Sequence, residues 1–101
     1  MFTRILTFHP KSGEVSEEVQ VTIHDPERDP KGPDYRVLVS LETTRGRKED
    51  HVHGVDGMQC VMEALFLLPT LLKGFPGPGR HTWHGRTDLG LVRPSKKSSQ
   101  S

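Results

Sequence analysis

The stretch Gly54–Phe75, GVDGMQCVMEALFLLPTLLKGF, is the long apolar run of the chain, and its reading decides the fold. Asp56 is a good N-cap, and Gln59 three residues later completes the D-x-x-Q form of a capping box. Val55 and Cys60 stand at the two positions of a hydrophobic staple, so the helix start is marked three ways. At about 100° per residue, Met58, Val61, Ala64, Leu65, Leu68, Leu72 and Phe75 share one stripe, with Gln59, Glu63, Thr70 and Lys73 opposite. Lys73 and Gly74 place a cation and a C′ glycine at the far end. Pro69 interrupts the run. Inside a regular helix it removes a hydrogen bond and crowds the carbonyl of Leu65, at a cost of about 3 kcal/mol. The expectation is a Pro-kinked helix, or one that ends near Leu68 with a short turn after it.

Working outward, everything before this run reads as extended chain. Phe2 to Phe8 alternates crudely, with Phe2, Leu6 and Phe8 on one side and Thr3, Ile5 and Thr7 on the other. His9-Pro10-Lys11-Ser12-Gly13 carries turn chemistry. Val19, Val21 and Ile23 then share a face opposite Gln20, Thr22 and His24, the pattern of a strand buried on one side. Asp25 to Asp34, DPERDPKGPD, holds three prolines and a glycine, which excludes helix and central strand. Tyr35, Val37, Val39 and Leu41 point inward along a third strand. Thr43 to Glu49 reads as a hydrophilic turn, and His51-Val52-His53 as a short fourth strand. Strands joined in this order favour an antiparallel meander. After Gly74, Phe75-Pro76-Gly77-Pro78-Gly79 is a stiff turn, and His81 to Gly85 reads as a late strand with Trp83 as its core anchor. Leu89, Leu91 and Val92 can fold back on the body.

The fold class is therefore α+β: an antiparallel sheet of about four strands plus a late strand, packed on one principal helix. With 101 residues there is room for one core, placed at 1–94, followed by a polar tail at 95–101 with nothing to bury. Fourteen basic against thirteen acidic residues leave a net charge of +1, so no global field draws nucleic acid or an anionic membrane, and neither is an expected partner. The basic residues Arg80, Arg86, Arg93, Lys96 and Lys97 face a single acid, Asp88, after residue 79; a solvated end is the reading. The one cysteine, Cys60, rules out an internal disulfide and fits a reducing, cytoplasmic compartment. Arg4, Thr3 and Thr7 interrupt the N-terminal segment, which does not read as a signal peptide.

The residues P-E-R-D-P (26–30), D-Y-R-V (34–37), G-V-D-G-M-Q (54–59) and T-W-H-G with D-L-G (82–85, 88–90) carry a resemblance. The chain resembles a family of small stand-alone bacterial proteins classed as a domain of unknown function. Cys60, in place of a small residue after Gln59, and Pro69 within the helix depart from that pattern. The resemblance implies a bacterial cytosolic protein and no reaction, ligand or partner.

Two sets of residues are candidates for function. Phe66 lies on the polar side of the helix, and with Leu67, Pro69 and Thr70 it marks a surface for a protein partner or a second copy. The six histidines offer a metal reading. His51 and His53 form an H-x-H pair on one strand face, and His81 and His84 could approach from a neighbouring strand to complete a zinc-type site. Cys60 in the first helical turn is read as a small buried hydrophobe in preference to a nucleophile. No nucleotide-binding, hydrolase or nuclease motif is present, and no cofactor is implied. A non-catalytic protein-interaction module is the favoured reading, with a metal-binding protein or a histidine enzyme as the alternative.

Overall fold

Alternating apolar residues place the strands, and the register follows from burying them on one side. The structure, a computed structural model, describes residues 1–87 and 89. Strands β1 (Phe2–Pro10) and β2 (Glu17–Ile23) pair antiparallel, with Leu6 opposite Val19 and Arg4 opposite Val21. Strand β3 is two residues, Glu27–Arg28, and pairs with the start of β4 (Tyr35–Thr43). On the same edge of β4, Val39 and Leu41 lie opposite Ile23 and Val21 of β2. Strand β5 (Gly46–Gly54) runs along the other edge of β4 from end to end. Helix α1 (Gly57–Leu72) follows, and β6 (Gly79–Thr82) pairs with the far edge of β1. The sheet order is thus β6, β1, β2, β4, β5, with β3 extending the β2 side. The expected meander is present, and the helix carries the chain from one edge of the sheet to the other.

One core cluster joins the two layers. Leu6, Phe8, Val19, Val21, Ile23, Val37, Val39 and Leu41 are buried on the sheet, and Cys60, Ala64, Leu68, Leu71 and Leu72 on α1. The helix lies on β4 and β5. Trp83 and Leu89 pack against the cluster from the segment after β6. There the Arg4 guanidinium sits 3.9 Å above the Trp83 ring and donates to the Leu89 carbonyl at 2.7 Å. The expected fold-back is made at Leu89, while Leu91, Val92 and the tail at 95–101 lie outside the described residues.

Three expectations are corrected. First, of the two forms expected for the helix, an end near Leu68 is excluded, because α1 runs to Leu72 with Pro69 inside it. Pro69 is exposed, so the bond it cannot make falls on the solvent side, where water can replace it. Second, the fourth strand is nine residues long, and the turn before it is only Thr44-Arg45. Its charges obscured the pattern. As the outermost strand it tolerates them, and charge on an open edge also discourages unwanted pairing. Third, the buried side of α1 is rotated: Met58, read as inward, is 76% exposed, whereas Cys60 is fully buried.

The rotation has a local cause. The capping bond forms as expected, with the Gln59 N–H donating to Asp56 Oδ1 at 2.8 Å. The Gln59 side chain returns to the N–H of Val55, one residue before the usual capping-box position, at 2.7 Å. Only Val55 and Asp56 separate β5 from α1, which presses Cys60 onto Gly54. A Cβ on Gly54 would stand 2.9 Å from the Cys60 nitrogen and 3.2 Å from its sulfur. Val55 is 69% exposed, so the staple does not form; the contact with Gly54 takes its place. At the other end Gly74 takes φ +79°, and Lys48 of β5 donates to the Leu71 carbonyl at 3.3 Å, supplying the cation there.

Asp56→Ala is expected to lower stability by about 1 kcal/mol, the usual worth of an N-cap, in urea denaturation followed by circular dichroism. Gly79 is more demanding, because an added Cβ would lie 2.4 Å from the His9 carbonyl oxygen and 2.7 Å from the Phe8 ring. Gly79→Ala is expected to cost about 1–3 kcal/mol by overpacking in the same measurement.

Candidate functional site

The strand register locates the histidines. His51 and His53 lie opposite Leu38 and Arg36, on the sheet face turned away from the core, so the H-x-H pair does share one side. His51 is exposed, and His53 Nε2 lies 3.3 Å from Asp29 Oδ2, tying β5 to the proline-rich loop. The Lys31 N–H donates to Asp29 Oδ1 at 2.9 Å, and this bond holds the Asp29 carboxyl below its ordinary pKa. His81 lies opposite Phe8 on the core side, with ring centroids 5.2 Å apart. Its Nε2–H donates to the Phe75 carbonyl at 2.9 Å. His84 occupies a left-handed turn position at φ 52°, beside Trp83.

These two pairs of histidines are not brought together. Strands β5 and β6 are the opposite edges of the sheet, with β1, β2 and β4 between them. Four strand spacings amount to roughly 19 Å. The neighbouring-strand approach expected from the sequence fails because α1 carries the late strand across to β1. Among the described residues no group of three or more His, Cys, Asp and Glu side chains could hold a metal ion. Cys60 is buried, and desolvation, with the Asp56 and Asp34 charges adding to it, pushes its thiol pKa up. A raised pKa leaves little thiolate, the reactive form.

On α1, Phe66 and Leu67 are half-buried, while Pro69 and Thr70 are exposed. Leu67 packs against the core cluster. The largest exposed apolar groups on the helix lie earlier, at Met58 (76% exposed) and Met62 (50%). With Phe66 and Pro69 they follow steps of three and four residues, which bring side chains onto one helical face. The outer surface therefore carries its own apolar band. Spacing alone could have found it, because 58, 62, 66 and 69 satisfy the same rule as the stripe first chosen.

A six-stranded antiparallel sheet covered by one helix places this chain among small α+β proteins. Its family is also identified: a family model described as a domain of unknown function (DUF6968) matches residues 2–93, and the chain belongs to that family. Comparisons with curated proteins and with solved structures give no match. No helix of the described residues is long and apolar enough to cross a membrane.

Burial also gives His81 a pH signature. Desolvation lowers its pKa below the ordinary value; the bond to Phe75 opposes this, and the nearby His9 adds to the lowering. Between that lowered value and about 6.5 the unfolded chain binds a proton that the folded chain does not, so stability is lost as the pH falls through this window. The melting temperature is expected to drop on acidification from about pH 7.5 to about pH 5.5, and to drop less in His81→Gln. An equal drop in both proteins would remove His81 as the cause.

Proposed function

We propose that this chain is a non-catalytic protein-interaction module that docks a protein partner on the outer face of α1. The observation that carries the reading is the exposed band of Met58 and Met62, continued by Phe66 and Pro69. A helix that is apolar on both sides normally has a neighbour on both sides, and here the sheet covers one. Methionine suits the role, because its unbranched side chain adapts to an opposing apolar surface. Leu67 belongs to the core side of the expected set; Phe66 and Pro69 lie in the band, and Thr70 borders it. A second copy of the chain is one partner with the required chemistry. A bacterial setting, which the family resemblance implies, and a cytoplasmic one accompany this reading; a single cysteine buried in the core fits a reducing compartment. The metal-binding alternative retains His51 and His53 on one face but gains no third ligand among the described residues.

The test pairs sedimentation analysis over a range of concentrations with binding assays on any purified partner. Met58→Glu/Met62→Glu is expected to keep the wild-type melting temperature, because both side chains are largely exposed. It is expected to weaken self-association or partner binding at least about tenfold, a loss of some 1.4 kcal/mol. Association that persists unchanged in the double variant, or a chain that stays monomeric and binds no partner, counts against the proposal.

A further inference from the structure

The outer face of β5 carries two histidines whose ring nitrogens are mostly unused. His51 and His53 stand two residues apart on the side away from the core, opposite Leu38 and Arg36. Two steps along a strand span about 6.7 Å, a separation from which two imidazoles can converge on one ion. His51 is exposed, and among the described residues neither of its ring nitrogens has a partner. His53 has its Nε2 3.3 Å from Asp29 Oδ2, which leaves Nδ1 as its free nitrogen. Asp29 is itself fixed by the Lys31 N–H, at 2.9 Å. A carboxylate against one nitrogen of an imidazole, with the other nitrogen free, is the arrangement that orients a histidine for a metal ion. The charged neighbours on this face are engaged with one another. Arg36 pairs with Glu27 at 2.8 Å, and Glu49 accepts from Arg47 Nε at 2.8 Å.

Two imidazoles fill half of a tetrahedral zinc site, and the described residues of one chain supply no third ligand. Strand β5 is an outer strand of the sheet, however, and among the described residues its second edge is unpaired. An antiparallel approach of two copies about a two-fold axis at Val52 sets His51 of each opposite His53 of the other. Side chains directly opposed on neighbouring strands stand about 5 Å apart. Four imidazoles then rise from one face at the corners of a rectangle of roughly 5 by 7 Å, small enough to meet on a single ion. In this register Val52 meets its own counterpart and Asp50 lies opposite Gly54, so no like charges are opposed. An axis centred on Glu49 or Asp50 would set that acid against itself. The His51 N–H already donates to Asp50 Oδ1 at 2.9 Å, so bare edges gain little from backbone pairing and the ion is what joins them.

We infer that His51 and His53 form half of a zinc-type site that a second copy of the chain completes, with Asp29 as the positioning residue for His53. The test is zinc titration of the tag-free full chain by calorimetry, with sedimentation analysis at each metal level. It is run in the Met58→Glu/Met62→Glu background as well as in the wild type, so that association through α1 is read separately. Binding of one zinc per two chains is expected, with dimers that form on adding zinc and dissociate on adding a chelator, in both backgrounds. His51→Ala and His53→Ala should each remove the zinc-dependent dimer. Asp29→Asn should weaken zinc binding about tenfold. Ring ¹⁵N signals should place zinc on Nδ1 of His53; coordination through Nε2 would remove the role of Asp29. Three results overturn the inference: no heat at micromolar zinc, one zinc per monomer, or a zinc-dependent dimer that survives both histidine variants. Loss of that dimer in the methionine variant alone would overturn it too, by assigning the contact to α1.

Discussion

Helix α1 lies against β4 and β5, and its side chains Cys60, Ala64, Leu68, Leu71 and Leu72 join those of β1, β2 and β4 in one core. A domain of this size has no second core to fall back on. The orientation of that single contact is set at one end, where two residues connect β5 to the helix and Cys60 rests on Gly54. Small side chains at positions 60 and 64 and leucines further along give the helix a narrow and then a broad buried edge. With the inner side fixed, Met58 and Met62 have nowhere to go but outward.

The sheet separates two surfaces of different character. On its core side the helix turns an apolar band to solvent. On its other side β5 holds His51 and His53 along the open edge, with Asp29 against the second. One surface offers dispersion and area, the other nitrogen ligands, and no described residue belongs to both.

Much of the fold was legible because period-two alternation is a direct consequence of a sheet with one buried face. Val19, Val21 and Ile23, and likewise Val37, Val39 and Leu41, stand on the predicted side. Strand β5 was harder to read, since Arg47, Lys48, Glu49 and Asp50 lie on an edge where neither face demands apolar residues. The candidate site was less legible still. Grouping His51 and His53 with His81 and His84 required knowing which strands are neighbours, and the crossover by α1 puts them on opposite edges.

By itself, then, the sequence determined local matters: where strands and turns fall, where α1 is capped, and that one helix must cover one sheet. Those follow from backbone chemistry and from the period of the side chains, which act over a few residues. Only the tertiary structure decided which side of an almost wholly apolar helix is buried, and which edge of the sheet receives the last strand. With apolar groups nearly all the way round α1, burial free energy scarcely distinguishes one rotation from another. The short link at Gly54 does, through contact distances between atoms that the sequence pattern cannot rank.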